Sequence, residues 1–321
     1  MRYRPFGRSG LEVSVVGIGT GGASRLGLAY GNTQEQAIAV VQRGFDLGIN
    51  YFDTAENYKN EEVLGKALLG HRNEVLISSK VGPLREDGSL LTGEELYTAV
   101  ELSLRKLQTD VIDVFHLHRV SNRIYDYCAE TLVPALEHLR DDGKIRLIAL
   151  SESSGSDIEH TMLKRAVEDD CWDVFMASFN LFNQSARESL FSTSIEKSMA
   201  VEIMASARSQ FSQPDLLIAE VERLVETGEI PADQVDRADP LSFLRTDDGQ
   251  LSPSETSYRF AAFEPGVNVV LVGTGNIAHL EENVAAFDRG PLPEDLQTRL
   301  VTIFGHLRAE VHVPGREEGP I

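Results

Sequence analysis

Short apolar runs alternate with helix-like segments along almost the whole chain. Eight of these runs are typical of strands buried on both faces, at residues 14–18, 49–52, 75–79, 111–117, 145–150, 173–178, 201–205 and 268–272. Helix signals separate them: Thr33 is a plausible N-cap, Thr92 with Glu95 forms a capping box, and Ser254 is a third candidate cap. Eight β-α units in 321 residues predict one α/β domain over residues 1–321, a closed (β/α)8 TIM barrel.

Additions to the barrel are predicted at both ends of the chain. Alternating residues punctuated by glycines predict an N-terminal β-hairpin, and two helices after the last strand predict C-terminal extra helices. Residues 207–252 are predicted to form a long loop over the barrel mouth, and residues 313–321 a loose tail. A doubly wound open sheet is the alternative fold, but no G-x-G-x-x-G follows a strand.

Charge and composition exclude several classes of partner. The formal net charge is −20, from 50 acidic and 30 basic residues, and this sign repels phosphate backbones and anionic lipid. Cys128 and Cys171 form no CxxC motif, which favours a reducing compartment. No apolar run reaches the roughly 18 residues of a membrane span. We therefore expect a cytoplasmic protein, a monomer or weak homo-oligomer, that binds neither nucleic acid nor membrane.

Four polar residues follow three successive predicted strands. Asp53 and Tyr58 follow the second, Lys80 ends the third and His118 the fourth. The C-terminal strand ends of a (β/α)8 barrel face one mouth, so these side chains are expected to be neighbours. Taken singly, Asp53 could be a turn residue, Tyr58 a rim aromatic, Lys80 a surface lysine and His118 a structural histidine of the barrel. His116 is interpreted as such a structural histidine. Together they favour a catalytic site.

The residue types indicate proton transfer to or from a carbonyl compound. A phenol has a pKa of about 10 and becomes a useful acid or base when an ammonium stabilises the phenolate. We expect Asp53 to pair with Lys80, Lys80 to act on Tyr58, and His118 to orient the substrate oxygen. No side chain supplies hydride, so a nicotinamide or flavin cofactor is implied, and no metal site is predicted.

These residues lie in a sequence that resembles the aldo-keto reductase family. Residues 53–61 match D-x-A-x-x-Y-x-N-E, and further similarity lies at residues 6–14, 17–20, 77–80, 118–119 and 273–283. The resemblance implies a (β/α)8 barrel that binds NAD(P)(H) without a Rossmann fold. It also implies reduction of an aldehyde or ketone, or oxidation of an alcohol or sugar hemiacetal. Tyr58 would be the proton donor, tuned by Lys80 and Asp53, with His118 orienting the substrate.

The resemblance also implies a set of cofactor-binding residues. They are Gly19, Thr20, Asp53, Ser151, Arg208, Gly273, Thr274, Gly275, Asn276, His279, Glu282 and Asn283. The sequence departs from the family at two positions that usually hold the nicotinamide amide: Glu152 replaces an asparagine and Met176 a glutamine. Glu152 can still accept a hydrogen bond from an amide NH2. These departures leave a catalytically weak nucleotide-binding regulatory protein as the alternative function.

The segment after the last strand bears on the choice between NAD and NADP. Residues 273–283 contain no Lys or Arg, and their only candidate cation is His279. Because a 2′-phosphate gains charge-assisted hydrogen bonds from Lys or Arg, we hypothesise that NAD is tolerated or preferred.

Overall fold

The computed structural model of the chain describes residues 1–85, 87–153, 155–207 and 209–308. Arg208 and the predicted tail at 313–321 lie outside these ranges. The strands are β1 (Tyr3–Pro5), β2 (Glu12–Ser14), β3 (Val16–Gly19), β4 (Tyr51–Asp53), β5 (Leu76–Val81), β6 (Ile112–Val120), β7 (Ile145–Glu152), β8 (Val174–Ser178), β9 (Ala200–Met204), β10 (Arg245–Thr246), β11 (Gly249–Gln250) and β12 (Val269–Val272). Eight of these described strands close a parallel barrel in the order β12-β3-β4-β5-β6-β7-β8-β9, which confirms the predicted fold class.

Helices alternate with the barrel strands. The α-helices of the described ranges are Gln34–Asp46, Glu61–Ala67, Gly93–Leu107, Tyr125–Tyr127, Val133–Asp141, Thr161–Ala166, Ser192–Glu196, Ser209–Ser212, Pro214–Glu226, Pro253–Ala262, Ile277–Asp288 and Glu294–Phe304. Thr33 is the N-cap of its helix and Thr92 completes a capping box with Glu95, both as predicted. Thr33 also forms a capping box with Gln36, which was not predicted. The prediction for Ser254 is wrong: Ser252 is the cap, because its side chain accepts from the Glu255 amide and Pro253 occupies the first turn.

The N-terminal hairpin closes one end of the barrel. β1 and β2 pair antiparallel, as predicted, and the Phe6 ring lies 5.5 Å from the Tyr51 ring. Around these rings is an apolar cluster drawn from the hairpin and the barrel strands, namely Phe6, Val13, Tyr51, Leu76, Val114, Ala149, Val174, Ala200 and Val269. The strand N-termini are therefore covered by apolar side chains, and polar groups are concentrated towards the C-terminal mouth.

The segment at 207–252 is more regular than a loop. Its helix Pro214–Glu226 is followed by the short β10–β11 hairpin. It packs on the loop after β8 and on the helix Glu294–Phe304, since Phe211 contacts Phe182 and Phe243 contacts Phe304. The segment leaves the barrel after β9 and so starts at the C-terminal mouth; the helices Ile277–Asp288 and Glu294–Phe304 are the predicted C-terminal additions.

None of the helices within the described ranges combines the length and hydropathy that crossing a bilayer requires.

Candidate active site

Three adjacent strands bring the predicted polar residues to one end of the barrel. The parallel register pairs Asp53 on β4 with Ser78 on β5, and Lys80 on β5 with His116 on β6. Side chains two residues apart on a strand share a face. Lys80 therefore projects on the same face of β5 as Ser78. The pairing of β6 with β7 shifts register between Leu117 and Val120, so the place of His118 is given by its ring contact with Tyr58 instead.

A buried ion pair lies at the centre of the site. Lys80 is fully buried, and its ammonium pairs with Asp53 Oδ1 and donates to the Thr54 carbonyl oxygen at 2.8 Å. The Ser78 hydroxyl donates to the same Asp53 oxygen at 2.9 Å. Burial is the largest influence and opposes the charge on Lys80, but Asp53, Tyr58 and Glu202 together outweigh it and raise the pKa of Lys80. Lys80 is therefore a fixed cation at neutral pH.

Tyr58 lies between this cation and His118. It ends the 3-10 turn Glu56–Tyr58, which Lys59 terminates in the left-handed conformation with φ 59°. The Lys80 Nζ is 5.3 Å from the centre of the Tyr58 ring. The His118 ring centre is 5.8 Å away, with the two rings nearly perpendicular. Tyr58 and His118 are only half-buried, so the predicted four residues converge with two of them accessible.

His118 has the properties of a neutral hydrogen-bonding group. Burial, and then the positive charges of Lys80 and Arg119, lower the pKa of His118 well below its usual value. A neutral imidazole has one donor and one acceptor nitrogen, so it can orient a carbonyl or hydroxyl oxygen without adding charge.

Asn60 holds the loop that carries Tyr58, and its role was not predicted. Its Oδ1 accepts from the Thr54 and Thr20 hydroxyls at 2.8 and 3.0 Å, and its Nδ2 donates to the Thr20 carbonyl oxygen at 2.7 Å. Thr20, predicted to bind the cofactor, is fully buried with its hydroxyl directed at Asn60. The asparagine of the D-x-A-x-x-Y-x-N-E pattern was the signal that could have identified this contact.

Gly21 is packed directly against Tyr58. A Cβ at Gly21 would overlap the Cε2 and Cζ atoms of the phenol and lie 2.9 Å from its hydroxyl oxygen. If Tyr58 is the predicted proton donor, we expect Gly21→Ala to displace the phenol and lower kcat by about 10- to 100-fold, because small misplacements of a reacting group are costly. Steady-state rates beside the thermal unfolding midpoint provide the measurement. Gly82→Ala is the control, since its Cβ meets only the Leu84 carbonyl oxygen at 3.6 Å. Equal losses of kcat in the two variants would show that the contact between Gly21 and Tyr58 has no special importance.

The ends of β7 and β8 are joined by Glu152. Its Oε1 accepts from the Ser178 amide and hydroxyl at 2.7 and 3.1 Å, and its Oε2 lies 2.7 Å from His160 Nδ1. Glu152 is buried, and its carboxylate is bound by Ser178 and His160 of the protein itself. These contacts were not expected for a residue predicted to accept a hydrogen bond from nicotinamide. Met176 and Ser151 are also buried and are register partners on adjacent strands. The Ser151 hydroxyl oxygen accepts from the Arg119 amide at 3.3 Å.

The turn after β12 leads into a capped helix. Asn276 accepts hydrogen bonds from the amides of Ala278 and His279 at 2.8 and 3.4 Å, and Thr274 Oγ1 accepts from the Asn276 amide at 3.1 Å. Gly273, Asn276, His279 and Glu282 are exposed, whereas Thr274, Gly275 and Asn283 are half-buried. The predicted cofactor residues of this segment thus lie together around the start of one helix.

Two contacts join this turn to the N-terminal part of the chain. Asn32 Nδ2 donates to the Gly275 carbonyl oxygen at 2.8 Å, and a Cβ on Gly275 would overlap the Gly27 backbone. Arg43 pairs with Glu281 at 2.7 Å. The structure therefore places a cation beside the segment that lacks Lys and Arg, but a carboxylate already binds it.

A second polar layer lies inside the barrel below Lys80. His116 Nε2 is 3.2 Å from Glu202 Oε1, which also accepts from the Tyr51 hydroxyl. The prediction that His116 is a satisfied structural histidine is only half right, because its Nδ1 has no hydrogen-bond partner among the described residues. One ligand atom each from Asp53, His116 and Glu202 lie within 4.8 Å of one another, a spacing that could hold a metal ion.

The sequence model of the Aldo/keto reductase family matches residues 16–303. The chain belongs to the aldo/keto reductase family. Over 320 residues this chain is 28% identical to the uncharacterized oxidoreductase YqkF of Bacillus subtilis, across 97% of this chain and 98% of that protein. It is 35% identical to L-galactose dehydrogenase of Arabidopsis thaliana over 158 residues, about half of each chain. The family and its relatives make it an oxidoreductase.

Solved structures agree on the fold of the reductase. The holo form of aldo-keto reductase AKR11C1 from Bacillus halodurans superposes with a TM-score of 0.73 at 24% identity, covering 98% of this chain and 99% of that one. A putative aldo-keto reductase from Pseudomonas aeruginosa gives a TM-score of 0.65 at 27% identity, over 89% and 94% of the two chains. The predicted family and barrel are confirmed, while the roles of individual residues stay predictions.

Proposed function

We propose that this reductase interconverts an aldehyde or ketone and the corresponding alcohol, with NAD(P)(H) as cofactor and Tyr58 as the general acid and base. The observation that carries the proposal is the arrangement of Lys80: a buried cation, bound to Asp53, lies under the ring of a half-exposed tyrosine that faces a neutral histidine. Such a set suits proton transfer at one oxygen atom.

Each residue has a distinct part in the proposed reaction. His118 hydrogen-bonds the carbonyl oxygen, and Tyr58 donates its hydroxyl proton to that oxygen as the carbonyl carbon is reduced. The Lys80 ammonium stabilises the phenolate left behind, and Asp53 holds the ammonium in place. In the oxidation direction the phenolate removes the alcohol proton instead. The dinucleotide, when bound, supplies or accepts the hydride.

The residues around 273–283 fit a dinucleotide. The helix Ile277–Asp288 begins at an exposed Asn276 after an exposed Gly273, so the positive end of a helix is open to phosphate oxygens. The amides of Ala278 and His279 donate to Asn276 Oδ1, and a bound phosphate would compete for them. We propose that Gly273, Thr274, Gly275 and Asn276 bind phosphate and that His279, Glu282 and Asn283 bind the adenosine end. Gly19, Asp53 and Ser151 would line the nicotinamide end.

A sugar hemiacetal is a second candidate substrate. The partial match to L-galactose dehydrogenase supports it, because oxidation of a hemiacetal to a lactone uses the same groups with Tyr58 as base. The segment 207–252, which leaves the mouth after β9, is proposed to cover the bound substrate.

Purified wild-type protein tests the proposal. Binding of NADH and NADPH is followed by fluorescence, oxidation of the reduced cofactors by absorbance with a panel of aldehydes and ketones, and the reverse reaction with aldose sugars. Turnover with any carbonyl or sugar supports the proposal. Tight cofactor binding without turnover favours the regulatory alternative, which the buried Glu152 and Met176 leave open. Failure to bind either dinucleotide contradicts both.

We expect NADH to be used at least as well as NADPH. His279 is exposed, and the neighbouring Arg43 is paired with Glu281, so a 2′-phosphate gains no free guanidinium from these residues. The measurement is kcat/KM for the two cofactors; a strong preference for NADPH would contradict the expectation. His279→Arg should raise kcat/KM for NADPH roughly tenfold, since a charge-assisted hydrogen bond is worth about 1.5–3 kcal/mol. His279→Gln, the uncharged control, should not.

A further inference from the structure

Three ionisable or polar side chains are sealed inside the barrel beneath the active site. Tyr51 on β4, His116 on β6 and Glu202 on β9 are fully buried. The Tyr51 hydroxyl donates to Glu202 Oε1, and His116 Nε2 lies 3.2 Å from the same oxygen. The three are referred to below as the interior trio.

The interior trio adjoins the Lys80–Asp53 pair. Tyr51 precedes Asp53 by two residues on β4, and His116 is the register partner of Lys80. A carboxylate oxygen of Asp53, one of Glu202 and a ring nitrogen of His116 all lie within 4.8 Å of one another. Two carboxylates at that separation in a buried site repel strongly unless a cation compensates them. The Lys80 ammonium, bound to Asp53, supplies one such positive charge.

Stability alone does not account for the interior trio. Glu202 Oε2 and His116 Nδ1 are buried without hydrogen-bond partners among the described residues. Unpartnered buried polar atoms destabilise a protein, and apolar residues of similar volume generally replace buried ionic groups at no cost. Towards the closed end of the same barrel the interior is apolar apart from the Tyr51 hydroxyl, with Leu76, Val114 and Val174. A functional reason for a carboxylate at position 202 is therefore the better explanation.

We propose that Glu202, held by Tyr51 and His116, is a positioning residue that keeps Lys80 charged beneath Tyr58. The inference rests on the proposed function. Lys80 contacts Asp53 of β4 and the Tyr58 ring of the following turn, and His116 of β6 is its register partner. It also interacts electrostatically with His118 of β6 and Glu202 of β9. The two carboxylates stabilise the ammonium, whereas protonation of either histidine would oppose it.

The direction of two pKa shifts agrees with this arrangement. Burial works against the Lys80 ammonium, and Asp53 followed by Tyr58 and Glu202 raises the pKa of Lys80. Burial and then the Glu202 charge raise the pKa of Tyr51 well above its usual value, so the Tyr51 hydroxyl remains a donor to the carboxylate.

The first test is the pH dependence of kcat/KM in Glu202→Gln, which removes the charge and keeps the shape. We expect the alkaline limb to move to lower pH by about one unit, because Lys80 loses its charge more readily. The control is Asp113→Asn, which alters another buried carboxylate, bound by Arg72 and Arg146 at 2.7 and 2.9 Å on the outer side of β6. Asp113→Asn should lower the free energy of unfolding and leave the alkaline limb of the kcat/KM profile at its wild-type pH. A Glu202→Gln profile that superposes on the wild type overturns the inference.

A second measurement does not depend on turnover. Lysine labelled with carbon-13 at Cε is titrated by NMR, with Lys80→Met to assign the Lys80 signal. The Lys80 midpoint is expected at lower pH in Glu202→Gln than in the wild type, and an unchanged midpoint overturns the inference. If the wild type turns over no substrate, the proposed function fails while this titration still decides the role of Glu202. Tyr51→Phe, which removes a donor to Glu202, should shift the midpoint in the same direction and serves if Glu202→Gln does not fold.

Discussion

Replacing Tyr58 by phenylalanine is expected to lower kcat for carbonyl reduction by about 10²- to 10⁴-fold, the usual contribution of a positioned acid. The substitution removes one hydroxyl and keeps the ring that lies over Lys80 and against His118. The Kd for the reduced cofactor should therefore change little, which separates loss of the acid from loss of the site. Single-turnover rates and cofactor fluorescence measure the two quantities.

Tyr97→Phe is the matched control for that experiment. It also removes one hydroxyl, which hydrogen-bonds Asp142 on the outside of the barrel. It should leave kcat unchanged. If Tyr58→Phe reduces carbonyl compounds as fast as the wild type, Tyr58 is not the acid.

Lys80→Met is expected to abolish most activity and to destabilise the protein by about 3–5 kcal/mol, the cost of leaving one partner of a buried ion pair uncompensated. Methionine fills similar volume but gives Asp53 no partner and no longer donates to Thr54. The free energy of unfolding from urea titrations measures the loss. Lys66→Met is the control, because Lys66 only hydrogen-bonds Gln34 at an exposed position.

The sign of the pH dependence gives a sharper test of the same variant. Burial raises the pKa of Asp53, and Lys80 opposes that rise in the wild type. Without Lys80 the folded-state pKa of Asp53 lies further above its unfolded value, so folding favours the protonated acid. That contribution is present below the unfolded pKa and is lost as pH rises through the folded pKa. The free energy of unfolding that Lys80→Met loses relative to the wild type should thus be smaller at about pH 5 than at about pH 8. Asp53→Asn in the Lys80→Met background should remove this pH dependence; a deficit independent of pH would contradict the account.

Much of the fold follows from apolar runs, but the runs do not specify pairing partners. The run at 14–18 was predicted as one strand, whereas Ser14 ends β2 of the hairpin and Val16 begins β3 of the barrel. Both sides of the break are buried, so hydrophobicity does not change at Val15. Only the partners differ, antiparallel β1 on one side and parallel β4 and β12 on the other.

In the candidate site, residues on neighbouring strands could be predicted, whereas contacts across the barrel could not. Asp53, Lys80 and His118 could be predicted because neighbouring strand ends meet in any parallel barrel. Glu202 could not be predicted from the sequence. A single acidic residue in an apolar run can be interpreted only when β9 is known to face β4 and β6 across the barrel interior. Glu152 and His160 meet through a loop whose path no periodicity describes. These contacts depend on tertiary geometry alone.

The barrel closes between β3 and β12, which lie near opposite ends of the chain. Long-range pairings of this kind form late in folding, whereas adjacent β-α units can associate as they are made. A chain emerging from the ribosome would thus carry Asp53, Lys80 and His118 on three neighbouring strands of a half-formed sheet, still open to water. The turn at 273–276 follows β12, so it is synthesised after the three strands that carry these residues. The charges of the proposed reaction centre are then brought together first, and both their desolvation and the proposed dinucleotide site await the pairing of β12 with β3.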